Sequence, residues 1–219
     1  MDRSALERLK RIAALAATGA HYAAGDVDRG GGSGRFDLDR YEEIRALCAE
    51  LLASRLGAGA EAVAVHLPDR SAGYATPPVD VRAAVLDGDR VLLVRERSDG
   101  RWTLPGGFAD TGLTAAANVE REVAEEAGLV VRAERLYAVV HKASHGYDAD
   151  VREFYKLYFL CRPTPTSPAR PRPCGVETLA AAFFHRSELP ELSTGRVIAE
   201  HLDLAFDFAS EPHRPTLFD

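Results

Sequence analysis

The chain has 219 residues, of which 46% are hydrophobic and 27% charged, and a formal net charge of -6. That length holds one generous domain, or one ordinary domain with a small appendage, and either can bury a sizeable core. The acidic balance argues against holding nucleic acid by overall charge, so an anionic substrate needs a local positive site, either arginines or a metal.

The N-terminal stretch "MDRSALERLKRIAALAATGA" interleaves charged and apolar residues and lacks the apolar core of a signal peptide. No apolar run approaches the roughly 20 residues that span a bilayer, so no membrane partner is expected. Cys48, Cys161 and Cys174 are odd in number, far apart and without CxxC spacing. Reduced thiols in a cytoplasmic protein fit this pattern better than a disulfide framework or a zinc site.

Ser4 is placed to cap a first helix with Leu6, Leu9, Ile12 and Ala13 on one face, and "DVDRGGGSGRFD" reads as a flexible loop. Asp39 and Glu42 resemble a capping box opening a second helix, in which Ile44, Leu47, Cys48, Leu51 and Leu52 recur at helical spacing. A two-helix hairpin with an apolar stripe must pack on the rest of the chain or on a second copy. A symmetric homodimer is the expectation. The segment from Gly57 ends in "YATPP", whose double proline marks a linker. Residues 1–70 are thus expected to form a helical domain with its linker, and residues 71–219 a second domain.

Beyond the linker the period switches to two. Val79, Val81, Ala83 and Val85 alternate, Asp87-Gly88 turns the chain, and "RVLLVRE" follows as a buried strand. Trp102 to Leu104 reads as a short strand entering Pro105-Gly106-Gly107. Thr114 to Ala127 is the clearest helix, with Thr114 as cap and Gly128 as stop. Further strands are expected at Val131 to His141, Glu153 to Arg162 and Ala180 to His185, and a last helix from Thr194 to about Phe208.

On the Thr114–Ala127 helix, Ala116, Val119, Val123 and Ala127 share one side, while Glu122, Glu125 and Glu126 crowd the adjacent one. Like charges three and four apart destabilise a helix unless something positive neutralises them. Arg121, four residues before Glu125, can hold that carboxylate. Hard oxygen donors gathered in this way suit Mg2+ or Mn2+ together with phosphate oxygens, although most glutamate-rich helix faces are simply solvated.

Gly107, Arg121, Glu122, Val123, Glu125, Glu126, Gly128 and Leu129 resemble the Nudix box, G-x5-E-x7-R-E-U-x-E-E-x-G-U with U aliphatic, and Leu113 alone departs from it by replacing the first glutamate. The resemblance implies an α/β/α sandwich with a mixed sheet and cleavage of a nucleoside diphosphate linked to a group X. It implies metal ligation by Glu122, Glu125, Glu126 and the Gly107 carbonyl, with Arg121 orienting the carboxylates, and puts in doubt only an auxiliary role for the glutamate missing at Leu113. Glu126 and Glu177, in "CGVETLAAAFF", are the candidates for the catalytic base.

The resemblance extends over nearly the whole chain to the Nudix subgroup with an added N-terminal helical domain, which includes CDP-choline pyrophosphatases and relatives labelled ADP-ribose pyrophosphatases. CDP-choline is the preferred substrate, with ADP-ribose, or a sensor that binds a nucleotide without cleaving it, as alternatives. Tyr74, Tyr147, Phe154 and Tyr158 either stack a base or cage a quaternary ammonium, or belong to the core. Arg95, Arg97 and Arg101 either supply positive charge for phosphate or form a solvated hairpin. His141 and His145 line substrate or lie on the surface, and "RPRP" at Arg170 to Pro173 is too short to be a nucleic-acid patch.

Overall fold

The computed structural model describes residues 3–29, 34–69 and 73–219. They fall into two compact units, one made of residues 1–77 with 149–153, the other of 78–148 with 154–219.

In the first unit, α1 (Arg3–Asp28) packs on α2 (Gly34–Leu56), followed by the short α3 (Ala60–Ala64). Ala13, Ala16, Ala17 and Ala20 are at most 3% exposed, and their small side chains let the helices approach closely. At Gly19 a Cβ would come within 2.5 Å of the Tyr41 ring, so the glycine is required there. Both helices outrun their expected limits. Ser4 lies within α1 rather than capping it, Asp26 to Asp28 and Gly34 to Asp37 are helical rather than loop, and Asp39 is interior to α2. Ion pairs from Arg40 to Asp37 and from Arg45 to Glu42, each at 2.8 Å and spaced i,i+3, support the early turns of α2. Residues 30–33 of the expected loop lie outside the described residues. Lys10, 4% exposed, sends its ammonium to Glu153 at 2.6 Å, Glu7 at 3.0 Å and the Asp150 carbonyl at 3.1 Å. Glu153 therefore belongs to this unit and does not start a strand.

The second unit is built from β1 (Val79–Asp87), β2 (Arg90–Glu96), β3 (Trp102–Thr103), α4 (Ala115–Ala127), β4 (Val131–His141), β5 (Tyr155–Pro163), β6 (Thr178–His185), α5 (Ala199–Ser210) and β7 (Leu217–Phe218). The sheet order is β3-β2-β1-β5-β4-β7, with β6 also paired to β2. β1 runs parallel to β5 and β4 runs antiparallel to β5, so the sheet is mixed. Alternation along β1 separates the two faces: Val81, Ala83 and Val85 meet Val119, Val123 and Ala127 of α4, while Ala84 joins Leu202, Ala205 and Phe206 of α5 on the other side. The result is the expected α/β/α sandwich. Each fully buried valine or leucine in these clusters contributes roughly 1.5–3 kcal/mol.

Three features escaped the periodic pattern. α3 is only five residues long, and β7 is a two-residue strand parallel to the edge of β4. The last helix begins at Ala199 because Ser193 to Val197 first make a turn in which the Ser193 carbonyl accepts from the amides of Arg196 and Val197.

Candidate active site

The site is assembled on the N-terminal Gly-Gly loop and the C-terminal half of α4. The Thr114 hydroxyl accepts from the Ala117 amide at 3.1 Å, and Gly128 ends the helix at φ 65°, where a side chain would be strained. Between these stops the three carboxylates occupy a gradient of environments. Glu125 is exposed, Glu122 half-buried and Glu126 only 5% exposed.

Glu126 is held by the loop facing it: its Oε2 accepts from the Gly106 amide at 2.9 Å. Gly106 sits at φ 142° directly over β1, and a Cβ there would strike the Val81 carbonyl, so no other residue fits. The Gly107 carbonyl accepts from the Val81 amide at 2.8 Å, and a Cβ on Gly107 would lie 3.2 Å from the Glu122 carboxylate. At the other end of Glu126, the Thr178 hydroxyl donates to its backbone carbonyl at 2.9 Å, tying α4 to the start of β6.

Burial pushes the Glu126 carboxyl up to about 8; the charge of Arg82 and the Gly106 amide oppose that rise, and Glu96 and Glu122 add to it. Glu122 is also raised, by burial and then by Glu125. Uncompensated carboxylate charge beside close-approaching glycines is the environment that a hard divalent cation relieves. The donor set of Glu122, Glu125, Glu126 and the Gly107 carbonyl therefore fits such an ion. Among the described residues, no three His, Cys, Asp or Glu side chains are gathered into a cage that could hold a metal ion.

Arg121 bonds chiefly to Asp110, at 2.6 Å, and stands farther from its expected partner Glu125, at 3.5 Å. Glu177 is exposed in the turn before β6, close enough to act electrostatically on Glu122 and Glu96. The three arginines of the β2–β3 region secure loops. Arg95 donates to the Gly100 carbonyl at 2.7 Å, Arg97 to the carbonyls of Val176 and Gly175 at 2.8 and 2.7 Å, and Arg101 pairs with Glu191 at 2.9 Å. Leu113 is 45% exposed.

Tyr147 is buried, its hydroxyl bonded to Tyr158 at 2.5 Å and to His201 Nδ1 at 2.6 Å. The rings of Phe154, Tyr147 and Tyr158 already surround an ammonium, that of Lys156, at 5.4, 5.6 and 5.9 Å. His145 and the His141 amide bond to the Asp219 carboxylate at 2.8 and 2.6 Å. The Asp219 carboxylate thus links the two positions.

Sequence reasoning missed the buried charges of β1 and β5. Asp80, Arg82 and Lys156 are all at most 4% exposed. Arg82 makes a two-pronged contact with Asp80, at 2.9 and 2.7 Å, and donates to the Leu104 carbonyl at 3.1 Å. Lys156 donates to Asp80 at 2.6 Å. Burial raises Asp80, but Arg82 and Lys156 more than reverse that and leave it below the carboxylate range. A signal existed: "VDVRAAV" and "YKLYFL" each place charge inside an apolar strand, where an unpaired charge is too costly to persist. Also missed was Glu96, 9% exposed, with Arg196 at 3.5 Å.

A family model described as the NUDIX domain matches residues 76–203, and one described as the UDP-X-like, N-terminal oligomerisation domain matches residues 3–65. YjhB of Bacillus subtilis, provisionally named an ADP-ribose pyrophosphatase, is 37% identical over 214 residues, covering 98% of this chain and 96% of its own. The crystal structure of an ADP-ribose pyrophosphatase from Streptococcus suis matches with TM-score 0.59 and 39% identity over 66% of this chain and all of that one. A UDP-X diphosphatase structure matches with TM-score 0.59 and 29% identity over the full length of both chains.

Proposed function

The chain belongs to the Nudix hydrolase family, acting on phosphoanhydride bonds of nucleoside diphosphates linked to a group X, and from that premise we propose that its catalytic centre is the α4 carboxylate set facing Gly106 and Gly107. The observation that carries this reading is the buried Glu126 carboxylate held by the Gly106 amide. Glu122, Glu125, Glu126 and the Gly107 carbonyl would hold Mg2+ or Mn2+, which when bound neutralises phosphate oxygens and lowers the pKa of water. Arg121 orients the outer carboxylate through Asp110 and Glu125. Because one oxygen of Glu126 is engaged by Gly106, Glu177, exposed at the β6 turn, is assigned as acceptor of the water proton. Water oxygen bonds to phosphorus, the bridging P–O bond breaks, and a nucleoside monophosphate leaves with the phosphorylated X group.

For X we place ADP-ribose first. Two relatives carry that name, and the aromatic rings that would cage choline enclose Lys156 instead. CDP-choline, preferred on sequence grounds, is the second reading. Arg95, Arg97 and Arg101 are assigned to loop support, since carbonyls and Glu191 already occupy them. A panel of ADP-ribose, CDP-choline and a UDP-linked sugar, run with Mg2+ and with Mn2+ and scored for monophosphate release, tests the assignment. The highest kcat/KM is expected on ADP-ribose, and a clear preference for CDP-choline overturns the substrate reading alone.

The helical unit is proposed to form a homodimer. Ile12, Leu15, Leu47 and Leu51 are 44–53% exposed along α1 and α2, the residues matched by the oligomerisation model fall here, and so large an apolar exposure is unusual on a monomer surface. Sedimentation at micromolar concentration should give twice the chain mass; a monomer rules the dimer out.

A further inference from the structure

Arg82 is bound on three sides yet has charge left over. Asp80 faces two cations, Arg82 and Lys156, so the buried trio carries one positive charge more than it neutralises when Lys156 is protonated. The β1–β5 register sets Lys156 beside Asp80, and both prongs of Asp80 fix the plane of the guanidinium. The remaining nitrogen, Nη1, donates to the Leu104 carbonyl. Leu104 immediately precedes Pro105 and Gly106, and the loop that follows is laced to β1 at every second residue: Ala83 donates to the Pro105 carbonyl at 2.9 Å and Val81 to the Gly107 carbonyl at 2.8 Å. Arg82, between those two strand positions, thus anchors the root of the loop whose Gly106 amide holds Glu126.

We infer that Arg82, locked by Asp80 and Lys156, is a positioning residue for the reaction: through the Leu104 carbonyl it sets the Gly106 amide against Glu126. This rests on the reading of Glu126 as part of the catalytic centre, but extends it to the opposite face of the sheet.

The test uses the full chain with Arg82→Gln, Arg82→Lys and Asp80→Asn, and Glu126→Gln in parallel. Steady-state kinetics on the best substrate of the panel are combined with NMR exchange of the Gly106 amide in protein without added metal. Arg82→Gln should lower kcat on the order of 30-fold with KM little changed, and should speed Gly106 exchange about tenfold. Arg82→Lys, which keeps the charge and loses the fork, should leave kcat lowered to a similar degree and Gly106 fast. If Arg82→Gln does not fold, Asp80→Asn decides, because it loosens the fork while keeping the guanidinium; a smaller fall in kcat with faster Gly106 exchange is expected. Wild-type kcat and wild-type Gly106 exchange in a folded Arg82→Gln or Asp80→Asn protein overturn the inference, as does an Arg82→Lys protein with wild-type kcat and fast Gly106 exchange. Full turnover in Glu126→Gln instead sinks the catalytic reading, and Gly106 exchange in the Arg82 variants then still decides the positioning role.

Discussion

Of the buried lysines, Lys10 in the helical unit and Lys156 in the sheet unit have surroundings that differ in charge. Lys10 in α1 meets two carboxylates, Glu7 and Glu153, and a carbonyl. Lys156 in β5 meets one carboxylate, which it shares with Arg82, and is otherwise walled by aromatic rings. The first arrangement has negative charge to spare and serves to fasten residues 149–153 to α1. The second is short of negative charge. Burial, opposed only in part by Asp80, brings the Lys156 ammonium down to about 7. A surplus of buried positive charge is costly by itself, and it is tolerable here because the α4 carboxylates on the neighbouring element are short of counter-charge. In one unit the ions close on themselves, and in the other they are left open toward a site.

The strongest way to break that picture is at the receiving end. Glu126→Gln keeps the shape and the Gly106 contact but removes the charge. If the open arrangement exists to serve this carboxylate, turnover should fall by roughly 10² or more while the thermal unfolding profile is retained. Near-normal kcat in a folded Glu126→Gln protein refutes the assignment.

Stability separates the two lysines next. Lys10→Met leaves Glu7 and Glu153 facing each other without their cation, and because both keep partial solvent access the expected loss is about 2 kcal/mol, below the range for a fully buried pair. Lys156→Met leaves Asp80 with both prongs of Arg82 and inserts an apolar side chain among rings, so it should be neutral or slightly stabilising near pH 7. Urea midpoints of the two variants measure this directly, and a larger loss in Lys156→Met than in Lys10→Met reverses the comparison.

The legibility of these regions from sequence follows the range of the interactions that make them. α4 could be read almost to the residue because Thr114, the glutamates and Gly128 act within a few positions of one another, and the β2 strand "RVLLVRE" was readable from its apolar run and the turn before it. The trio beneath α4 was not, because Asp80 and Lys156 are 76 positions apart and meet only through the β1–β5 register. The role of Arg95, Arg97 and Arg101 depended on which carbonyls the loops would bring to them, and no local pattern carries that. The helical unit misled in the other direction: capping signals at Ser4 and Asp39 were real residue preferences, but alanine packing and i,i+3 pairs continued the helices past them.

A smaller effect sharpens the charge argument. Lys156 has a folded pKa of about 7 against an unfolded 10.5, so between those values the unfolded chain binds a proton that the native chain does not. The sign follows: stability is fully present above the unfolded pKa and is lost as pH falls through the folded one. Wild-type protein should therefore gain stability relative to Lys156→Met as pH rises from 7 toward 10, and the difference should be flat below pH 6. Parallel urea titrations at pH 6, 7.5 and 9 read it, and wild-type stability that stays level or falls relative to Lys156→Met as pH rises shows that the ammonium is satisfied where it sits.

The smallest effect is expected where a charge is added outside the open arrangement. Leu113 stands where the Nudix pattern has its first glutamate, on a loop and 45% exposed. A carboxylate there would remain solvated, and an exposed charge interacts through water and salt with only a fraction of the strength seen by the buried Glu126. Leu113→Glu should then shift kcat/KM by no more than about threefold in either direction, because the counter-charge from Arg82 reaches the inner carboxylates and not this loop. Kinetics at low and moderate ionic strength provide the measurement. A loss comparable to that of Glu126→Gln would mean that the loop closes onto the carboxylate set during the reaction, and that the acidic limit of the site lies farther out than α4.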